Sequence, residues 1–206
     1  MARPALTEEA IACFRDRLCE IATHRFAERG YAGVSLRGLA RDLGCSPNTP
    51  YRYFEDKDEI LAVVRARAYQ ELRAYGCRAL RRPGEPLERL ERLGLAYLRF
   101  AREKPHAYQI AFELLQPDAA RFPALLRARA DAWQVIRDAV ALAVESGALQ
   151  GDVDEVSHIF WAGMHGLVTL ELAGQLQTGS VSKLSRPMIR ALLRGVAAPT
   201  RGDPDD

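Results

Sequence analysis

From Thr7 to Gly30 the apolar residues Ile11, Phe14, Leu18, Ile21, Ala22 and Phe26 recur at steps of three and four, the spacing of one helix face. Thr7 supplies an N-cap hydroxyl, and Gly30 can close the helix in a left-handed turn. The same pattern predicts a short helix over 36–43. Ser35 precedes it, Leu36, Leu39, Ala40 and Leu43 share one side, and Gly44 ends it. Asp56 followed by Glu59 has the form of a capping box. It opens a long helix carrying Ile60, Leu61, Val64, Ala68 and Leu72 as far as Leu80. The stretch RRPGEP, residues 81–86, forbids continuation through Pro83, Gly84 and Pro86. Beyond it, helices are predicted at about 86–103, 105–116, 123–146, 153–176 and 184–197. Pro105, Pro117, Pro123, Gly147, Gly151 and Gly179 separate them. No segment alternates with the two-residue period of a strand and no repeat is present, so the expected class is all-α, with about nine helices. The tail PTRGDPDD, residues 199–206, is expected to be disordered.

Composition narrows the class without fixing a role. The 206 residues are 48% hydrophobic and 27% charged, enough for a sizeable core. No apolar run approaches the roughly 20 residues that span a membrane. The start MARPALTEEAI lacks a signal-peptide core, so a cytoplasmic protein without a membrane partner is expected. Cys13, Cys19, Cys45 and Cys77 form no CxxC pair and read as buried free thiols. His24, His106 and His158 have no acidic or thiol partner at ligand spacing, so neither a metal nor a cofactor is expected. Net charge is +2 but uneven: 14 Lys/Arg against 11 Asp/Glu up to residue 81, then 15 against 16. That weak N-terminal bias permits nucleic-acid binding without demanding it.

Residues 43–60, LGCSPNTPYRYFEDKDEI, carry more information. Helix 36–43, a turn over Gly44 and Cys45, and a second short helix from Pro47 have the proportions of a helix-turn-helix. Ser46 suits the N-cap and Pro47 the first helical position. Pro50 removes a backbone donor and disfavours helical geometry at Thr49, so the second helix should be short. A stiff first turn exposing Asn48 and Thr49 suits a recognition element in a major groove, where Asn pairs with adenine and Thr offers a methyl and a hydroxyl. Tyr51, Tyr53 and Lys57 can reach phosphates, while Phe54 is expected to anchor the element inward. The competing reading makes both tyrosines core aromatics and the prolines mere shapers of a turn.

The segment FAERGYAGVSLRGLARDLGCSPNTPYRYFEDKDEIL, residues 26–61, resembles the DNA-binding region of the TetR family of bacterial repressors, with GY…S, LA…LG.S, YRYF and DK..IL in register. The resemblance implies a homodimer on a double-stranded DNA operator, with a C-terminal helical domain that senses a small molecule. Carried over by position, Ser35 and Arg37 lie where the family's second helix meets DNA. Pro47, Asn48 and Thr49 occupy the base-facing turn, and Tyr51, Tyr53 and Lys57 the backbone-contacting positions. Gly38 and Pro50 offer no side-chain hydrogen bond, which leaves base readout to few residues. The expected domains are a DNA-binding unit over 1–56 and an effector-binding and dimerisation domain over 57–198.

FWAGMHGLVTLELAGQL, residues 160–176, is apolar almost all round and must be covered on every side. Gly163 and Gly166 suggest close approach of a neighbouring backbone. Leu184, Met188, Leu192 and Val196 give the last helix an apolar stripe. Helices 153–176 and 184–197 paired with their copies would form a four-helix dimer interface, as the family's last two helices do. Trp161, His165 and Gly166 also resemble the C-terminal domain of the TetR subgroup named for that W-x-x-x-H-G arrangement. Trp161, Met164 and His165 could line a ligand pocket with Tyr97, Phe100, Tyr108, Phe112 and Trp133, or all could be core. An enzyme is not expected: Glu171 lies off the face of His165, and no nucleophile–base pair is legible. The expected role is a ligand-responsive repressor. A DNA-binding adaptor that only dimerises or recruits a partner is the alternative.

Overall fold

The computed structural model describes residues 7–112 and 118–197. The expected disordered tail, and the last turn of the helix predicted at 105–116, lie outside the described residues. Among these there are eight α-helices: α1 (Glu8–Arg29), α2 (Leu36–Asp42), α3 (Lys57–Leu80), α4 (Pro86–Glu103), α5 (Pro105–Phe112), α6 (Pro123–Glu145), α7 (Val153–Leu172) and α8 (Val181–Gly195). Two single turns of 3-10 helix, Pro50–Arg52 and Ala119–Arg121, complete them. The one β-type pairing among the described residues is an isolated bridge between Leu149 and Ala197.

The helix starts follow their caps. The Thr7 hydroxyl accepts from Ala10 N–H at 3.2 Å, and Ser35 from Gly38 N–H at 3.2 Å. Asp152 and Ser180 cap α7 and α8 in the same way. Ser180 starts α8 three residues earlier than the apolar stripe suggests, and Pro187 is accommodated inside it. Asp56 caps α3 by accepting from Glu59 N–H at 2.8 Å. The reciprocal arm differs from a regular capping box: the Glu59 carboxylate takes the N–H of Glu55, at 2.6 Å.

By packing, the chain divides into two compact units, which α3 and α6 both enter. The first comprises the described residues of Met1–Gln70 and Lys104–Arg129. Its core gathers Leu18, Ala22, Phe26, Leu36, Leu39, Phe54, Ile60, Leu61 and Ile110. Tyr69 closes it, donating its hydroxyl to Ala111 C=O at 2.7 Å. The second comprises the described residues of Glu71–Glu103 and Ala130–Asp206, where α4 packs on α7 and α8.

In the second unit α8 buries Val181, Ser185, Ile189 and Leu193. The stripe expected to pack, Leu184, Met188, Leu192 and Val196, lies next to it and is only half-buried. Gly163 receives not a backbone but the side chain of Leu192, whose Cδ1 lies 2.4 Å from where a Cβ would stand. Gly166 faces open space. Outward on these helices stand Ile159, Leu170 and Leu172, about half exposed. The four cysteines are free, but only Cys19 is buried and Cys13 is exposed. Burial pushes the Cys19 thiol up to about 11.

Candidate nucleic-acid interface

The turn after α2 is built by its backbone. Gly44, at φ 68°, takes the left-handed conformation that a side chain would disfavour. Gly44 N–H reaches Arg41 C=O at 3.1 Å and Cys45 N–H reaches Ala40 C=O at 3.0 Å, the paired bonds of a Schellman cap.

The second helix of the pair is shorter than its sequence suggests. Residues 46–49 form a turn, and only Pro50–Arg52 is helical, as a single 3-10 turn. Pro47 and Pro50 have no N–H to donate, so the bonds that remain run mostly over three residues. Thr49 N–H bonds Ser46 C=O at 2.9 Å, Arg52 N–H bonds Thr49 C=O at 3.1 Å, and Tyr53 N–H bonds Pro50 C=O at 2.9 Å. Ser46 does not act as the expected N-cap; its hydroxyl pairs with that of Thr49 at 2.9 Å. Those bonds hold Thr49 helical, at φ −61° and ψ −45°, against the disfavour imposed by the following proline.

Ser35, Arg37, Pro47, Asn48 and Tyr51 are exposed, and Thr49 is half-buried. Tyr51, at 55%, is among the most exposed large apolar side chains. Tyr53 behaves otherwise: its ring stacks on Phe14 with centroids 4.0 Å apart. Phe54, 2% exposed, is the inward anchor. Lys57 is half-buried, its ammonium 3.8 Å from the Tyr31 ring centroid and donating to Tyr31 C=O at 2.9 Å.

Two residues near this surface had no signal of their own in the sequence. Arg15 of α1 lies 4.0 Å over the Phe54 ring, donates to Tyr53 C=O and pairs with Glu59 at 2.9 Å. It thereby ties the end of the turn to the start of α3, across a separation that no local pattern reveals. Arg121 reaches Asp56 at 3.1 Å and Asp58 at 3.5 Å. The Asp56 carboxyl sits below its usual range, first because Glu59 N–H stabilises its charged form and then because of Arg121. Tyr31 donates to Asp58, which raises its phenol to about 12. Arg52, exposed between the two tyrosines, is a third cation that the aromatic pattern hid.

In the second unit Tyr97, Trp133, Trp161 and His165 come together, joined by His158. Trp161 Nε1–H donates to the Tyr97 hydroxyl at 3.3 Å, and that hydroxyl lies 3.0 Å from His165 Nδ1. Burial lowers the His165 pKa and favours the neutral ring, which shares one proton with the Tyr97 hydroxyl across the Nδ1 contact. Trp133 meets the His158 ring at a tilt, with centroids 4.4 Å apart, and Trp161 edge-on at 6.1 Å. Phe100 and Met164 are fully buried in the same unit, with Phe100 edge-on to Tyr75. Tyr108 and Phe112 belong to the first unit, where both rings pack together and Phe112 meets Tyr69. Among the described residues no group of three metal-ligating side chains gathers; His24 and His106 pair with each other, Nδ1 to Nδ1 at 2.8 Å.

Residues 19–64 match the model of the bacterial regulatory proteins of the tetR family, and residues 90–195, more than half the chain, that of the Tetracyclin repressor-like C-terminal domain. The chain belongs to the TetR family. Its proteins are regulators rather than enzymes. An HTH-type transcriptional regulator of Mycobacterium tuberculosis is 36% identical over 56 residues, 27% of this chain and 24% of that protein. The match thus spans about a quarter of that relative's length. Among solved structures, a Rhodococcus sp. RHA1 protein of unknown function is 25% identical, with TM-score 0.78 over 89% of this chain and 95% of that one. A TetR family transcription regulator from Marinobacter aquaeolei shares the fold at TM-score 0.76 and 18% identity, over 93% and 100%. The TetR fold is therefore present in both units, and among the described residues no helix is long and apolar enough to cross a membrane.

Proposed function

We propose that this TetR-family protein is a ligand-responsive transcriptional repressor in the cytoplasm, binding a palindromic operator as a dimer and leaving it when a small molecule binds. One observation carries the DNA-binding half. The family's reading element here is a hydrogen-bonded turn that leaves Pro47, Asn48 and Tyr51 exposed, as Arg37 is on α2. Asn48 and Thr49 read base edges, Arg37 reads guanine or grips phosphate, and Ser35, Tyr51, Tyr53 and Lys57 hold the backbone. In this reading residues 1–56 form the DNA-binding part and 57–198 the effector-binding and dimerisation part.

The dimer half rests on the apolar face of α7 and α8. Ile159 and Leu170 stay about half exposed, with half-buried Leu184, Met188 and Leu192 on the next helix, and a second copy would cover them. The effector would lie against the cluster of Tyr97, Trp133, Trp161 and His165, with Phe100 and Met164 in the same unit; Tyr108 and Phe112, which belong to the first unit, drop out of the expected pocket. Its binding would move α3 and change the spacing of the two reading turns, which must fit major grooves about 34 Å apart.

A second reading, the adaptor without a ligand, has its own support. The apolar crevice lined by Leu90, Val140, Phe160 and Leu193 has no room for a water molecule. One experiment tests the carrying claim: selection of bound sequences from random duplex DNA by the wild type and by Arg37→Ala/Tyr51→Ala. A palindrome recovered by the wild type alone supports the regulator. No enrichment over the double variant at moderate salt refutes DNA reading by this turn.

A further inference from the structure

In the second unit, a groove of about 330 Å³ opens where RRPGEP meets α4 and α8. Four guanidinium groups line it, from Arg82, Arg92, Arg186 and Arg190, against two carboxylates, Glu88 and Glu91. Four positive charges against two negative leave an excess of two. We propose that this groove is a binding site for a small anion carrying two or more phosphate or carboxylate groups, a site separate from the aromatic cluster.

Three features argue that the groove is built rather than a chance of surface composition. Arg92 is held in place: its Nη2 donates to Arg82 C=O at 2.8 Å, and its Nη1 lies 3.9 Å from Glu88. Its Nε is sealed from water and makes no hydrogen bond among the described residues. The side chain as a whole stays 27% exposed and lines the groove, so a guanidinium already fixed in position is presented to an incoming anion. The turn also makes room for it. A Cβ at position 84 would come within 3.0 Å of both Arg92 Nη1 and Glu88 Oε2, so glycine allows those groups to lie against the backbone. Pro83 and Pro86 on either side fix φ and hold the turn.

The third feature is crowding of like charge. Arg186 and Arg190 stand one helical turn apart on α8, a spacing at which two cations repel. Glu91 answers both, bonding Arg186 and lying 3.7 Å from Arg190 Nε. One carboxylate between two guanidiniums leaves the pair undercompensated. Both arginine side chains are 59% exposed, so their attraction for an incoming anion is screened by salt and falls as ionic strength rises. Planar forks that bind phosphate or carboxylate bidentately are the chemistry present here, and the volume suits a small organic anion.

The test is calorimetric titration of the full chain with inorganic pyrophosphate and, separately, with citrate. Saturable binding of either probe is expected, at least about tenfold weaker in Arg82→Gln/Arg190→Gln, the loss that follows removal of hydrogen bonds to a charged group. Arg99→Gln, an exposed charge on α4 outside the groove, should bind as the wild type does. Should the double variant unfold, Arg186→Lys keeps the charge, removes the fork and should weaken binding severalfold. Binding of pyrophosphate alone identifies phosphate as the group recognised, and binding of both identifies multiple negative charge. No saturable binding of either probe, or equal weakening in Arg99→Gln, overturns the proposal. The readout involves no DNA, so this outcome and that of the operator selection are independent.

Discussion

The two tyrosines of YRYF should separate cleanly under substitution, although the motif sets them two residues apart. Tyr51 is 55% exposed, so Tyr51→Ala removes little packing and should change stability by no more than about 0.5 kcal/mol. Its cost belongs to DNA binding. A hydrogen bond to a charged phosphate is worth at least about 1.5 kcal/mol, and a dimer loses two, so operator affinity should fall roughly 100-fold. Tyrosine is neutral, so the dependence of that affinity on salt should keep its slope, whereas Lys57→Ala should flatten it by releasing one fewer counterion per head.

Tyr53→Ala should cost stability in addition to the phosphate contact assigned to its hydroxyl. Full loss of a buried aromatic costs about 3–5 kcal/mol; for a half-buried ring about half of that is expected. The stack on Phe14, with centroids 4.0 Å apart, brings the expected total to about 2–3 kcal/mol. Urea unfolding followed by circular dichroism measures the stabilities, and fluorescence anisotropy on the selected operator measures the affinities. Tyr53→Phe completes the comparison, since it keeps the stack and removes only the hydroxyl assigned to phosphate. If Tyr51→Ala binds within about twofold of wild type, the exposed turn is not what holds DNA, and the reasoning from exposure fails.

Other perturbations probe the supports. Asp56→Ala should cost about 1–2 kcal/mol, from the α3 cap plus a half-exposed ion pair with Arg121, and Asp56→Asn should recover most of the cap; equal losses by urea unfolding would refute the capping role. For His165, burial lowers the pKa in the folded state, so the unfolded chain takes up a proton first as pH falls below about 6.5. Its contribution to stability should therefore shrink from that pH down to the folded-state value, and His165→Gln should show a flatter dependence than wild type in unfolding measured across the interval. Ile159→Glu/Leu170→Glu should yield a monomer by light scattering with helix content unchanged. A variant that remains dimeric would exclude this face as the subunit contact.

What was legible in the sequence was what neighbouring residues decide. Thr7, Ser35 and Asp56 mark helix starts because a cap bonds residues two or three positions on. Pro86 and Glu103 bound α4 as the periodicity predicts. The recognition element was harder, because two prolines and a Ser–Thr hydroxyl pair compete within five residues and the balance settles on a 3-10 turn. Contacts from distant parts of the chain were not legible at all. Arg15 meets Tyr53 and Glu59 from α1, and Arg121 meets Asp56 and Asp58 from beyond residue 118. On α8 the periodicity predicted a stripe, but two adjacent stripes are apolar, and only packing decides that Val181, Ile189 and Leu193 turn inward.

Those long-range contacts bear on how a switch could work in the first unit. A 3-10 turn of three residues with two prolines nearby cannot hold its orientation by backbone bonds alone. Here Phe54 fixes it in the core, and Arg15 holds Phe54, Tyr53 and Glu59 together, so the turn and the first turn of α3 are coupled. The same first turn carries Asp56 and Asp58, both within reach of Arg121. A displacement of α3 at its start must therefore either carry the reading turn with it or break contacts to Arg15. Breaking contacts to a half-buried guanidinium costs more than a rigid shift of a small element, so the turn follows the helix. Shape rather than local unfolding is then the quantity that an effector would change.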